Sequence, residues 1–381
     1  MLGGRRVVLD HRLHAHAHAL HEDQRHHAQP GEDRVHAPHP KAKSAAAHKL
    51  TPRPVKSAPA MLPVTRRLLA MLAATVLLGA CASGPGAPST LTVPRASEVA
   101  PGVYMLQGAS GEVDVGNLGR IGNAGFVVGE TGVVAIDTGT SHRHGMLLLA
   151  AIKAVTDKPV RLALVTHTRQ EFLFGATAYR EQGIEVAMHR KTAGLMKARC
   201  ETCLKRLTAT LGAEEMRGSA VVVPDRLFDQ GHTLHDIGRP LRVMYFGHSS
   251  GPGDIAVLDE QSGVLFAGGL LDERRIPDVQ DAELRGWQQA LVQLSELPLT
   301  AVVPGHGPLA RPAVVGAVAA YLRQLESRLI ELATAGAALS EVPDATVLPA
   351  FRSWDQYDSI HRRNASIVFV RVEREQMLKQ Q

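Results

Sequence analysis

Arg161-Leu162-Ala163-Leu164-Val165-Thr166-His167-Thr168-Arg169-Gln170-Glu171-Phe172 joins an apolar run to a loop carrying an imidazole, a guanidinium and a carboxylate at alternate positions. The run 161–165 predicts a β-strand. Reactive side chains in the loop that follows a strand are held by the scaffold while remaining free to meet a ligand.

Outward from this strand the chain alternates in the same way. Residues 103–106 and 125–128 are strand-like, and 132–139 is an apolar strand ending in a turn. A helix is expected at 145–155, a second at 174–182, a strand at 184–187 and a longer helical region at 191–211. Three more strands follow at 241–246, 255–258 and 264–267, then an amphipathic helix at 283–294 and a last strand at 300–303. An early β-run, β/α alternation and a second β-run predict an α/β (α+β) αββα sandwich, two sheets between helices. This domain is expected over 98–311, with helices at 315–333 and 354–376 (within 312–381) packed on it.

Four short motifs close apolar strands: Ile136-Asp137-Thr138-Gly139, the His167 loop, Phe246-Gly247-His248-Ser249, and Val303-Pro304-Gly305-His306-Gly307. In order and spacing they resemble the metallo-β-lactamase superfamily, most closely the branch called quinoprotein relay system zinc metallohydrolases, over residues 98–310. The family's H-x-H-x-D-H motif is altered. His167 matches the first position, whereas Arg169, Glu171 and Phe172 stand where the second His, the Asp and the third His belong. The resemblance implies one metal held by two motif histidines and the middle His, here His167 and His248 with Arg169 intruding. It implies a second held by the motif Asp, the last motif His and the late His, here Glu171 and His306 with Phe172 intruding. The Asp that bridges both metals is replaced in Gly268-Gly269, and Asp272 is the nearest substitute.

These replacements limit the chemistry. Catalytic zinc needs three protein ligands and an open position at which bound water is activated. Arginine stays protonated and cannot ligate. Its charge beside His167 would oppose a cation by roughly 4 kcal/mol per unit-charge pair at ~4 Å and an effective dielectric of ~20. Two-metal catalysis is therefore not expected, and β-lactam hydrolysis would be surprising. One zinc ion at most remains, held by His167, Glu171, His248 and His306. Glu171 would then belong to the reacting centre, and Arg169 would steady a small substrate's negative charge. Asp137 would orient the loop from behind. The other reading is a metal-free pocket in which Arg169 pairs with Glu171 and an anionic ligand or a partner's acidic loop is bound. A Ser249, Ser250, His248 and Asp254 hydrolase site lacks a nucleophile elbow. His142, His144 and His189 read as polar loop residues.

With 381 residues and 45% hydrophobic content, the chain can bury one sizeable core. Residues 1–60 hold ten of its nineteen histidines without apolar periodicity, a composition that cannot fold alone; a start assigned too far upstream gives the same picture. Ten basic and five acidic residues there account for the whole formal charge of +5, leaving a balanced remainder and no basic face for nucleic acid. From Met61, Arg66 and Arg67 precede the apolar run 68–78, and Leu78-Gly79-Ala80-Cys81 closes it, so 61–81 reads as a signal peptide. The closing tetrapeptide resembles the bacterial lipobox. It implies a lipid-anchored protein on the periplasmic face of a membrane, lipidated at Cys81, with 82–97 as tether. A quinoprotein pathway partner is the further implication of the branch it resembles. Cys200 and Cys203 are expected as a local disulfide or paired thiols, with redox or metal work as the alternative, redox only if they are exposed.

Overall fold

The computed structural model describes residues 92–379. The tract 1–60, the signal 61–81 with Cys81, and tether residues 82–91 lie outside the described residues.

Seven strands form the first sheet in chain order: β1 (Ser97–Ala100), β2 (Val103–Leu106), β3 (Ala124–Val128), β4 (Val133–Ile136), β5 (Val160–Val165), β6 (Glu185–His189) and β7 (Arg226–Phe228). Pairing is antiparallel from β1 to β4 and parallel from β4 to β7. The second sheet comprises β8 (His232–Leu234), β9 (Leu241–Tyr245), β10 (Ile255–Asp259), β11 (Val264–Phe266) and β12 (Ala301–Val303). Its spatial order is β12-β11-β10-β9-β8, parallel only between β11 and β12.

Strand β5 shows why the sheets stack. Leu162 and Leu164 point into the layer between the sheets, against Val257, Val264 and Phe266. Ala163 and Val165 point outward, into a layer with α1 (His142–Val155), α2 (Ala176–Glu181) and α3 (Arg190–Leu211). A strand covered on both faces can be apolar at every position, which is why β5 shows no alternation. On the outer face of the second sheet, Leu258, Leu265 and Val302 pack with α4 (Leu284–Ser295), α5 (Val314–Thr334) and α7 (Arg362–Lys379). The short α6 is Val342–Ala345. The architecture is the expected αββα sandwich.

Strands β1, β7 and β8 were not expected. Each is an edge strand of three or four residues with polar positions such as Glu98, Arg226 and His232, so no apolar run marks it. The last helix begins at Arg362, later than the expected 354. Gln356 adopts a left-handed conformation (φ 65°), and a π-turn at Tyr357–His361 precedes the helix.

Candidate functional site

The site gathers where β4, β5, β11 and β12 end. Asp137, just past β4, has φ 63°, a left-handed conformation that aspartate tolerates better than most residues. This turns its carboxylate back onto β5: Oδ1 accepts the Thr166 amide at 2.9 Å, and Oδ2 lies 2.8 Å from the Thr166 hydroxyl. Burial pushes the Asp137 carboxyl up to about 7, against the pull of those hydrogen bonds. The Thr166 hydroxyl also lies 2.7 Å from Nδ1 of His167, so an Asp137–Thr166–His167 chain fixes the imidazole. Burial and then the Arg169 charge hold His167 down at about 3, hence neutral near pH 7. Its Nε2 is buried without a partner.

The other side chains of the loop after β5 have partners of their own. Glu171 Oε1 lies 2.9 Å from Nε2 of His306, and Asp272 Oδ1 lies 2.8 Å from Nδ1 of the same ring. Burial opposes charge on His306, but the two carboxylates outweigh it and raise its pKa. As an imidazolium it donates from both nitrogens. Burial likewise would raise Glu171, yet the His306 hydrogen bond and charge bring it to about 2. Arg169 turns away from this group: its guanidinium donates to the Asp278 carbonyl at 2.8 Å and approaches the Asp278 carboxylate at 3.3 Å. Asp278 is also paired with Arg363 at 2.7 Å. Phe172 lies between the two histidines, its ring centroid 4.2 Å from that of His167 and 5.3 Å from that of His306.

The structure brings together His167, Glu171 and His306 but not His248. That residue is exposed, and its Nε2 lies 2.7 Å from the Asp281 carbonyl. The Arg169–Glu171 contact of the metal-free reading is also absent: Arg169 meets Asp278 and Glu171 meets His306, because the loop after β11 brings Asp272 and Asp278 to the site. Cys200 and Cys203 are free thiols and not a disulfide. His144, expected in an exposed turn, is buried in α1 with Nδ1 accepting the Thr140 amide at 3.2 Å. His142 pairs with Glu181, and His189 caps α3 through the Lys191 amide. Asp254 is buried, accepts the Ser250 hydroxyl at 2.7 Å, and is pushed by burial to about 6.

Whether this donor set suits zinc can be judged from its bonding. Of the imidazole nitrogens of His167 and His306, only the His167 Nε2 is buried without a partner, while both His306 nitrogens face carboxylates. A Cβ at Gly269, where the bridging carboxylate would begin, would lie 2.8 Å from Asp254 Oδ2 and 3.0 Å from His167 Cδ2, so a side chain there would require Asp254 and His167 to shift. Among the described residues, no three His, Cys, Asp or Glu side chains converge as a metal site. The residues present do not fit a zinc centre.

Beside this group opens a cleft of about 620 Å³, lined by His167, Arg169, Glu171, Asp254 and Asp278, and on the α3 side by Cys203 and Arg206. The signal that would have found Asp278 is missing from the sequence, since it sits in a loop without a motif. Asp272 was visible only by its closeness to Gly268-Gly269.

Residues 118–306 match the Metallo-beta-lactamase superfamily model, so the chain contains a domain of that superfamily. That match supports a hydrolase-type function, and zinc is the superfamily's usual metal. Among solved structures, the chain is similar to a metallo-beta-lactamase from Pontibacter korlensis, with 23% identity and a TM-score of 0.50 over 60% of this chain and 99% of that one. It is also similar to a metallo-beta-lactamase from Erythrobacter litoralis, crystallised with beta mercaptoethanol in the active site. There the identity is 21% and the TM-score 0.47, over 60% of this chain and 96% of that one. At such identity the first of these likenesses speaks for the fold alone.

Proposed function

We propose that this protein is a metal-independent binding or accessory protein whose cleft takes a small anionic ligand. The observation that carries the reading is the capture of His306 by Glu171 and Asp272, which occupies both ring nitrogens. An internal imidazolium thereby takes the place a metal cation would hold. Arg206 supports the choice of ligand: it is exposed on the cleft wall and has no carboxylate partner among the described residues. A guanidinium recognises carboxylates through paired donors. The cleft volume is that of a small-molecule site.

The reading extends to the cell. Leu78-Gly79-Ala80-Cys81 supports a lipid anchor at Cys81 on the periplasmic face of a bacterial membrane. The resemblance to the quinoprotein relay branch supports a pathway partner in quinoprotein-dependent alcohol oxidation. A thermal-shift titration of the full chain with succinate tests the ligand class. The expected result is a rise in Tm that EDTA leaves unchanged and Arg206→Ala abolishes; a rise that needs added zinc, or none, contradicts it.

A second reading, a hydrolase with at most one zinc ion, is favoured by the superfamily match and the unpartnered Nε2 of His167. It requires Glu171, His248 and His306 to leave their present partners.

A further inference from the structure

Cys200 and Cys203 lie one turn apart in the middle of α3, and both line the cleft that holds the His167 loop. Residues three apart on a helix are neighbours, with Cβ atoms ~5–6 Å apart. A disulfide needs about 4 Å, so a small tightening of one turn would let the sulfurs bond.

The two thiols are not equivalent. Cys200 is buried at 2% exposure, whereas Cys203 is half-buried and reaches the cleft. Arg206, one turn further on, places its guanidinium 3.9 Å from Cys203 Sγ. The neighbouring Cys200 thiol first, then Arg206, brings Cys203 down to about 6. The Cys203 side chain, together with burial, in turn pushes the Cys200 thiol up. An accessible thiolate beside a cation, backed by a shielded thiol, is the division of labour in dithiol exchange: one sulfur attacks and the other resolves.

We propose that Cys203 and Cys200 form a redox-active dithiol that exchanges with disulfides entering the cleft, Cys203 attacking and Cys200 resolving. The Cys203 thiolate attacks one sulfur of a disulfide RSSR; the RS–SR bond breaks and one RS⁻ leaves and takes up a proton. Cys200 then gives up its proton and attacks the Cys203 sulfur. The mixed disulfide breaks, releasing the second RS⁻, which is protonated in turn. The dithiol is oxidised to a Cys200–Cys203 disulfide and RSSR is reduced to two RSH. This activity is independent of whether the His306 group ever meets a metal.

Glutathione disulfide is a suitable probe, with the full chain reacted, EDTA present throughout, and mass spectrometry of the peptide that carries residues 200–203 as the readout. Wild type is expected to lose two hydrogens without keeping glutathione. Cys200→Ala is expected to trap glutathione on Cys203, and Cys203→Ala to react at least tenfold more slowly. Iodoacetamide alkylation of Cys203 in the wild type should titrate below an ordinary thiol, and Cys200→Ala should shift that titration back up. A Cys203→Ala chain that reacts as fast as Cys200→Ala would overturn the assignment of roles. A wild type that stays reduced, or keeps a stable glutathione adduct, would overturn exchange itself. Circular dichroism of each variant separates these outcomes from unfolding, and Cys203→Ser provides a second attacking-residue variant that retains a polar group.

Discussion

At the scale of single residues, three side chains of the His167 loop act together. Glu171 reaches His306, Arg169 reaches Asp278, and Phe172 fills the space between the histidines. Removing one partner of a buried ionic group costs far more than exchanging the whole group. Asp272→Ala is therefore expected to lower unfolding free energy by about 3–5 kcal/mol, read from denaturant midpoints. Glu171 also sets a pH dependence. Its folded pKa, about 2, lies below its ordinary value of 4.5, so the stability it contributes is present above 4.5 and disappears as pH falls through about 2. The stability gap between wild type and Glu171→Gln should thus narrow over that interval. A gap constant from pH 5 to 2 would show that Glu171 is not held as a carboxylate. For His306 the sign is opposite: its raised pKa contributes stability below 6.5 that is lost as pH rises through the folded value.

Much of this scale was legible beforehand. The strand-end placement of His167, Glu171 and His306 could be read from four motifs. What could not be read was the partner of each side chain. Asp278 lies more than a hundred residues from Arg169 in a loop without periodicity, and the exposure of His248 depends on the path of a glycine-rich turn.

At the scale of elements, the motif loop is clamped between two turns. Thr138 Oγ1 donates to the Phe172 carbonyl at 2.7 Å, and the Gly175 amide donates to the Gly139 carbonyl at 3.0 Å. No side chain fits at Gly175, since its Cβ would lie 1.8 Å from the Thr138 carbonyl oxygen. Gly175→Ala should cost about 1–3 kcal/mol through forced backbone movement, measured as a lowered thermal midpoint. A melt unchanged from wild type would mean that this clamp is loose. The long elements here announced themselves in the sequence: β5 and α4 carry strong apolar patterns. The edge strands β1, β7 and β8 did not, because a three-residue polar strand is defined by its neighbour's hydrogen bonds.

At the scale of the whole molecule, one buried ion pair ties the sheets together. Arg239 donates to both oxygens of Asp259 in β10, at 2.7 and 2.6 Å, and to the Pro101 carbonyl in the turn between β1 and β2 at 2.9 Å. Arg239→Ala is expected to cost about 3–5 kcal/mol by stranding the buried carboxylate of Asp259. A denaturation midpoint within error of wild type would remove the pair from the account. The αββα layering itself was readable from the order of elements, since unbroken apolar strands flanked by amphipathic helices leave few other ways to cover both faces of two sheets.

The central claim, that an internal imidazolium and not zinc occupies this site, is tested by elemental analysis of the full chain beside a His167→Ala/His306→Ala variant after equilibration with zinc. The pairing removes any metal taken up by the histidine-rich 1–60 tract, which both proteins share. Equal zinc content is expected. About one additional zinc per chain in the wild type would contradict the account and favour the mononuclear hydrolase.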